Sequence, residues 1–323
     1  MINYLAGFRS PKEIETFENC YDTVASDQRP LFENILFSIA SVGRPTRLEM
    51  VKFLDERRVD GRLKNVALDS GGYQVAKGKL SVDAMMEMDR QIYSNYQNFD
   101  AYFLPDEPVF SNDDIKTAEM KVEKNISMAT ELFETLPDKV KKKCVPIFHL
   151  QNIGPIERQI EGFRPIVDQS RYIAIGSIAI KPNFDLKVRL VTELLRIYGP
   201  DIKIHSLGDG NTKRLLALNM VGVYSNDTTS HFITAAIGKA TMPYIGVVYL
   251  DDINGRDWKG IQKSVDHTCE FCYNFKSLKK DLVYRKIHNC LVYRDLEKQY
   301  KDAGQEELSN DFYYLKNEQQ ELF

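Results

Sequence analysis

Short apolar runs alternate with longer amphipathic stretches along most of the chain. The runs are continuously apolar, which is typical of strands that are buried on both faces of a parallel sheet. We predict eight strands, at Ile35–Ser41, Val66–Asp69, Ala101–Leu104, Cys144–His149, Tyr172–Gly176, Ile202–Leu207, Val221–Ser225 and Ile245–Leu250. Helices are predicted between them, at Ser81–Asn95, Asn112–Leu136, Asp185–Ile197, Thr212–Asn219 and His231–Lys239.

The alternation of eight strands with helices favours an α/β fold, a (β/α)8 TIM barrel. A doubly wound open sheet is the alternative. After Leu250 the chain becomes polar and rich in turn residues. We therefore assign residues 1–255 to the barrel and 256–323 to a C-terminal subdomain, with one amphipathic helix over Lys279–Lys301.

Composition narrows the class of protein. The chain has 323 residues, of which 43% are hydrophobic and 28% charged, an ordinary globular balance. Its formal charge of −3 means that any nucleic-acid footprint must be local. No run approaches the length of a membrane span, and the N-terminus becomes charged too early for a signal peptide. We expect a cytoplasmic protein without a membrane partner, and its five cysteines favour thiols or a metal site.

Polar residues follow the predicted strands. In a (β/α)8 barrel the carboxyl ends of the strands meet at one face, where active sites lie. Helix caps and tight turns explain any one of these residues alone, but several together predict a site. The candidates at this face are Asp69 with Gly71-Gly72-Tyr73, Asp106 with Glu107, His149, Gly176 with Ser177, Leu207 with Gly208, and Asp227.

The C-terminal subdomain contains an H-x-C-x2-C motif formed by His267, Cys269 and Cys272. His288 on the following predicted helix would complete four donors. Thiolate and imidazole ligands favour Zn²⁺ in a closed, structural site. Cys290 is the alternative fourth ligand, because residues 288 and 290 of one helix point in different directions.

The run Asp69–Val75 (DSGGYQV) resembles the signature of the tRNA-guanine transglycosylases. The resemblance covers roughly residues 65–295 as spaced motifs in the same order. The other motifs are Pro105–Glu107, Ala174–Ala179, Leu207-Gly208, Gly222-Val223 with Asp227, the zinc knuckle and His288-Asn289.

The chain also departs from the family pattern. His149 stands where the tRNA enzymes have Gln, Ser177 where a second Gly is usual, and His267 where the first zinc ligand is Cys. The basic loop that follows the nucleophile and reads the anticodon is absent after Asp227. In this respect the chain is more similar to the phage and bacterial relatives that insert 7-deazaguanines into DNA.

The resemblance implies a role for each candidate. Asp227 would be the nucleophile and Asp69 the general acid and base, a division of labour like that of retaining glycosidases. Asp106 would accept hydrogen bonds from the donor edge of guanine, with Glu107 in support. The other base-binding candidates are His149, Gly176 and Ser177 on the carbonyl side, and Tyr73 and Leu207 around the ring.

We therefore expect an enzyme, a pentosyltransferase that replaces guanine in DNA with a 7-deazaguanine of the preQ0 type through a covalent glycosyl-aspartate. The base must be flipped out or presented single-stranded, with cations near the mouth. The candidate cations are Lys276, Lys279, Lys280, Arg285 and Lys286.

Two alternatives stay open: a tRNA-guanine transglycosylase, and a non-catalytic zinc-barrel subunit that binds nucleic acid. The sequence leaves the inserted base and the oligomeric state open, with a homodimer as one alternative. If the protein is phage-encoded, its compartment is the host cytoplasm.

Overall fold

The computed structural model describes residues 1–26, 29–110, 112–149, 156–176, 184–265 and 267–302. The strands are β1 (Ile2–Leu5), β2 (Asn34–Ser38), β3 (Asn65–Asp69), β4 (Ala101–Phe103), β5 (Cys144–Val145), β6 (Ile147–Phe148), β7 (Tyr172–Ile175), β8 (Lys203–Ser206), β9 (Ser225–Thr228), β10 (Lys239–Met242) and β11 (Gly246–Tyr249).

Helices cover the outside of the sheet. They are α1 (Pro11–Val24), α2 (Arg44–Val59), α3 (Gly72–Ala76), α4 (Val82–Asn95), α5 (Ile115–Thr135), α6 (Asp138–Lys141), α7 (Ile156–Ser170), α8 (Phe184–Tyr198), α9 (Thr212–Met220), α10 (Ser230–Ala236), α11 (Gly255–Ser264), α12 (Glu270–Tyr273), α13 (Phe275–Lys280) and α14 (Leu282–Asp302), with a 3₁₀ turn at Ile39–Ser41.

Nine strands form one parallel sheet in the order β5-β4-β3-β2-β1-β9-β8-β7-β6. The two ends of that order, β5 and β6, are separated along the chain by Pro146 alone. The amide of Leu104 donates to Val145 O (3.0 Å) on one side, and the amide of Ala174 donates to Pro146 O (2.9 Å) on the other. The sheet is therefore a nearly closed barrel, and the predicted α/β barrel fold is confirmed.

The strand prediction was wrong for the first and the last strands of the barrel along the chain. The predicted barrel strand Ile245–Leu250 instead contains β11, which pairs antiparallel with β10 in a separate hairpin. Its place is taken by β1, which pairs with β2 and β9 and which the pattern did not reveal. The predicted strand Val221–Ser225 also begins too early, since β9 covers the polar residues Ser225–Thr228.

The barrel interior contains both apolar and polar side chains. Buried His205 and Ser225 lie among its inward-facing rings and small side chains. The larger apolar core lies between the barrel and its helices. The interior cluster contains Tyr4, Ala6, Leu36, Ala67, Ala101, Phe103, Val145, Ile147, Tyr172 and Ala174.

The single helix predicted over Lys279–Lys301 is broken in two at Asp281. The Asp281 side chain accepts hydrogen bonds from the amides of Val283 (2.7 Å) and Tyr284 (3.1 Å), so it caps the start of α14. Leu282, the first residue of α14, is apolar but 41% exposed.

Helix α14 packs back against the first barrel strand. Asn3 donates from its backbone to Glu297 Oε2 (3.2 Å) and from its side chain to Tyr293 O (2.9 Å). The division of the chain at residue 255 stays a prediction. Among the described helices, none has the length and apolar character needed to cross a membrane.

Candidate active site and metal centre

A cavity of about 590 Å³ opens where the barrel strands end. Seven of the predicted site residues line it: Asp69, Tyr73, Asp106, His149, Gly176, Leu207 and Asp227. Ser177 lies outside the described residues. Apart from Glu107, the structure therefore brings together the described non-metal candidates, from positions that span residues 69–227.

Asp69 ends β3 and is half-buried at the wall of the cavity. Burial raises the pKa of its carboxyl to about 7, and the negative charges of Asp106 and Asp227 act in the same direction. Hydrogen bonds from the Ser38 hydroxyl and the Gly71 amide oppose the rise. A carboxyl with a pKa near neutrality can both give and take a proton, as general acid–base catalysis requires.

The glycine pair after Asp69 is required by the backbone around it. Gly71 has φ +89°, a left-handed conformation that side chains rarely adopt. A Cβ on Gly72 would collide with the backbone oxygen and carboxylate of Asp106. The absence of a side chain at Gly72 thus lets Asp106 lie directly against the loop that carries Asp69.

Asp106 and His149 meet in the cavity wall, with Oδ2 and Nε2 3.1 Å apart. His149 is fixed by Gln159 of α7, whose side chain accepts from the His149 amide (2.8 Å) and donates to its carbonyl (3.0 Å). Asn125 of α5 binds the backbone of Glu107 in the same two-way manner (2.7 and 3.0 Å). Two buried amide side chains therefore hold the loops that present these groups.

The side chain of Glu107 is not placed for the supporting role that the resemblance implies. Its Oε2 accepts a hydrogen bond from Lys124 Nζ at 2.6 Å, and that lysine is 44% exposed. Glu107 is not among the residues that line the cavity. Its contribution is to the position of the loop rather than to the pocket surface.

Three further predicted residues form parts of the cavity wall. A Cβ on Gly176 would lie 2.7 Å from His149 Nδ1, so the glycine allows close packing there. Leu207 is half-buried, whereas Tyr73 is 52% exposed at the rim. Lys77 Nζ lies 4.2 Å from the centre of the Tyr73 ring. Tyr73 is therefore a surface aromatic rather than a core residue.

Asp227 lies inside β9, not after it as predicted, and faces the cavity. Its Oδ1 accepts hydrogen bonds from the Gly208 amide (2.8 Å) and from His205 Nε2 (3.2 Å). Sequence reasoning missed His205, because an inward-facing residue in mid-strand looks like core. Asp227 is thereby held by two donors on one oxygen.

An ion pair in the cavity wall was also missed. Lys187 Nζ of α8 lies 2.6 Å from Asp209 Oδ2 and donates to Ser206 Oγ (3.0 Å). The lysine side chain is 2% exposed and the aspartate side chain 9%. The available signal was Asp209, which follows a strand as the other candidates do.

A further carboxyl, that of Asp89, lies behind the site. Asp89 of α4 is fully buried, and neither carboxyl oxygen has a hydrogen-bond partner within the described part of the chain. Burial raises its pKa well above the ordinary value, and Asp69 adds to the rise while Arg47 opposes it. Asp89 therefore favours the neutral form, so it adds little charge behind the cavity.

The four predicted metal donors form one buried group. The ligand atoms of His267, Cys269, Cys272 and His288 all lie within 4.8 Å of one another. Cys272 Sγ is 3.1 Å from Cys269 Sγ and 3.0 Å from His288 Nδ1. Because an S–S bond is about 2.05 Å long, the two cysteines are free thiols. This group could hold a metal ion.

The surroundings of the group fit a metal ion. His288 Nε2 donates to Thr241 O (3.0 Å), which turns Nδ1 toward the sulfurs as in metal sites with an outer shell. His267 Nε2 is buried without a partner among the described residues, an unmet donor or acceptor that a ligand bond would satisfy. Burial raises the pKa of Cys269 to about 11, so a cation would be needed to keep its thiolate.

Cys290 does not belong to the group. It is buried, and burial raises its pKa far above that of a reactive thiol. The structure thus selects His288 over Cys290 as the fourth donor.

The predicted phosphate-binding cations divide into two sets. Arg285 is 8% exposed and donates to the carbonyls of Ala235, Leu278 and Lys279, so it is a structural tie and the prediction for it was wrong. Others remain accessible to varying degrees. Lys276 and Lys280 are exposed, Lys279 pairs with Asp251, and Lys286 lies 3.8 Å from Glu13.

Comparison with known proteins gives no family: no protein-family model and no curated protein matches the chain. The resemblance to the transglycosylases therefore rests on the motif residues alone.

Proposed function

We propose that the protein is a base-exchange transglycosylase that replaces guanine in DNA with a 7-deazaguanine. One observation supports this above the others. Asp69, Asp106 and Asp227, which the motif order singled out from distant parts of the chain, line the same cavity at the carboxyl ends of the strands. Their environments differ, which is the condition for different chemical roles.

In the first step Asp227 attacks the anomeric carbon of the deoxyribose. The new ester bond forms as the bond to guanine breaks, and the bonding electrons leave with the base. Asp69, with its pKa of about 7, supplies the proton that the departing base takes up. The product is a glycosyl ester on Asp227 and a free guanine.

The second step reverses the first with a different base. The ring nitrogen of the incoming deazaguanine gives its proton to Asp69 and attacks the anomeric carbon. The ester bond breaks, and Asp227 is regenerated as a carboxylate. Two inversions give overall retention at the sugar, as in retaining glycosidases.

Asp106 recognises the base in this proposal. A carboxylate accepts two hydrogen bonds, which suits the ring N–H and the exocyclic amine on one edge of guanine. His149, 3.1 Å from Asp106, is positioned to reach the carbonyl next to that edge. Tyr73 and Leu207 then lie on either side of the ring.

DNA is the polymer that we favour. Helix α10 begins three residues after the nucleophile, contains no Lys or Arg, and is followed by the β10–β11 hairpin. A loop rich in Lys and Arg, of the kind that reads an anticodon, is thus missing at this position. The alternative substrate is tRNA, and the experiment below distinguishes the two polymers.

We further propose that the Cys/His group binds Zn²⁺. Two thiolates and two imidazoles around one position match the ligand chemistry of closed zinc sites. None of the four donors lines the cavity. The ion would therefore stabilise the region between the hairpin and α14, without a part in base exchange.

The test is base exchange with radiolabelled guanine in DNA and, separately, in tRNA, with preQ0 supplied. We expect loss of label from DNA only, together with a protein–DNA adduct that survives denaturing electrophoresis. Asp227→Ala should abolish both, and Lys52→Ala, on the exposed face of α2, should change neither. Loss of label from tRNA alone would replace the polymer in the proposal. Absence of exchange and adduct with both polymers would overturn it.

A further inference from the structure

A buried histidine lies directly behind the proposed nucleophile. His205 is fully buried in the barrel interior, between the rings of Tyr4 (centroids 5.9 Å apart) and Phe103 (4.7 Å). It does not line the cavity, so it cannot touch a substrate. Its only route of action on the chemistry is through Asp227.

His205 belongs to a chain of buried hydrogen bonds that runs through the barrel. Its Nε2 lies 3.2 Å from Asp227 Oδ1, and its Nδ1 lies 2.8 Å from Ser225 Oγ. Ser225 Oγ in turn lies 2.7 Å from the Tyr172 hydroxyl. Tyr172 borders a second cavity, of about 200 Å³, at the opposite end of the barrel.

The donors in this chain can be assigned from chemistry. An ionised carboxylate only accepts hydrogen bonds, so His205 Nε2 must carry a hydrogen toward Asp227. In the neutral ring, Nδ1 is then an acceptor, and the Ser225 hydroxyl donates to it. The Ser225 oxygen accepts from the Tyr172 hydroxyl. Every member of the chain is satisfied without a charge on the ring.

The two carboxylate oxygens of Asp227 differ in the number of hydrogen bonds that they accept. Oδ1 receives both the Gly208 amide and His205 Nε2. Oδ2 accepts no hydrogen bond from any residue that the structure describes, and Asp227 faces the cavity. Oδ1 is therefore fixed by hydrogen bonds, whereas Oδ2 is free to react.

We propose that His205 is a positioning residue for Asp227. As the neutral Nε2–H tautomer, fixed by Ser225 and Tyr172, it anchors Oδ1 and directs Oδ2 at the anomeric carbon. This inference rests on the proposed function, since it assigns Oδ2 as the attacking atom. A misplacement of about 1 Å at a reacting atom can cost roughly 100-fold in rate.

Three substitutions separate this role from a purely structural one. His205→Gln keeps an amide donor at the place of Nε2, whereas His205→Asn keeps a polar group near Ser225 but cannot reach Asp227. His205→Phe removes both contacts at similar volume. We expect the single-turnover rate of adduct formation to fall about 100-fold in the Phe and Asn variants and less than 10-fold in the Gln variant.

The affinity for the free base, measured by calorimetry, should stay unchanged in all three variants, because His205 does not reach the cavity surface. Ser225→Ala serves if a ring substitution prevents folding, and it should slow adduct formation without a change in base affinity. Equal adduct rates in wild type, His205→Phe and Ser225→Ala would overturn the inference. So would a failure of His205→Gln to exceed the Asn variant when both are folded.

A measurement without substrate distinguishes this inference from the proposed function. The ¹⁵N chemical shifts of the His205 ring in the wild-type protein should report hydrogen on Nε2 and none on Nδ1. Hydrogen on Nδ1 alone would overturn the positioning role, whatever the activity. If the wild type forms no adduct with DNA or tRNA but shows the Nε2–H tautomer, the proposed function fails and the anchoring of Oδ1 stands.

Discussion

The cavity at the strand ends and the candidate metal centre are both clusters of polar side chains, but they are assembled in opposite ways. Three of the four metal donors lie between residues 267 and 272, and all four point toward one another. The cavity collects carboxylates from positions 69, 106 and 227, and their like charges repel. A cation would complete the Cys/His group, whereas these three carboxylates line the cavity and remain available to a substrate.

The two clusters therefore differ in how their side chains affect the free energy of unfolding. In the candidate metal centre, an unpaired ring nitrogen such as His267 Nε2 would be satisfied by binding one ion. In the cavity, burial and the charges of Asp106 and Asp227 keep the pKa of Asp69 raised. We expect substitutions to destabilise the first region and, at Asp69, to stabilise the second.

The largest expected effect is at the metal centre. Cys269→Ser together with Cys272→Ser removes two thiolates, so the protein should lose about one zinc per chain and the stability that the ion supplies. Structural zinc contributes apparent free energies of about 10 kcal/mol in small domains, and we expect several kcal/mol here. Metal analysis and thermal unfolding measure both effects. Cys290→Ser is the matched control and should retain the metal; full metal content in the double variant would remove the site.

The next largest effect is at the glycine pair. Gly72→Ala places a Cβ against the backbone and carboxylate of Asp106, and neither can move far. We expect a loss of about 3 kcal/mol in the free energy of unfolding, typical of overpacking against the backbone. Chemical denaturation measures it. Gly43→Ala is the control, since a Cβ there meets nothing within 4 Å. Equal stability of the two variants would contradict the close approach of Asp106.

A smaller effect, opposite in sign, is expected at Asp69. Its pKa of about 7 in the folded state exceeds the value of about 3.9 in an unfolded chain. Between these values the folded state binds more protons, so the wild type loses stability as the pH rises from about 4 to 7. Asp69→Asn lacks this loss and should be about 2–4 kcal/mol more stable than wild type above pH 7, with no difference near pH 4.

Unfolding curves for Asp69→Asn and wild type from pH 4 to 8 test the sign. Asp60→Asn is an exposed control, because Arg62 lowers the pKa of Asp60 and the pH dependence should run the other way. A stability difference between Asp69→Asn and wild type that does not change with pH would show that Asp69 titrates normally.

The smallest effect concerns base recognition. Asp106→Asn keeps the shape but turns one acceptor into a donor that faces the donors of guanine. We expect a loss of about 1–3 kcal/mol in the affinity for guanine, with the fold intact. Calorimetry measures it, and Asp113→Asn, outside the cavity lining, is the control. Unchanged affinity would show that another residue reads this edge of the base.

The barrel and most of its cavity could be predicted from the sequence, because strand ends are marked by local residues. Asp69, Asp106 and His149 each follow an apolar run, and the fold then places them at one face. The metal group was predictable for a similar reason, since three donors lie within one short motif.

Other features left no local signal. Strand β1 is only four residues long and contains Asn3, whose side-chain nitrogen donates to Tyr293 O on the distant helix α14. The run Ile245–Leu250 is apolar, yet Val247 and Tyr249 are 45% and 53% exposed in a hairpin. Apolar character alone does not distinguish a barrel strand from a surface hairpin. His205 and Lys187 depend on partners that only the closed barrel brings near.

The pairing of β1 has a consequence for how the chain folds during synthesis. β1 fills the position between β2 and β9, and Asn3 is bonded to Glu297, 294 positions further along the chain. Until residues 225–228 have left the ribosome, one edge of β1 has no strand to pair with, and such edges invite wrong pairing. Contacts of this sequence separation slow folding. Strand β1, which precedes the other described strands along the chain, is therefore among the last of them to complete its pairing.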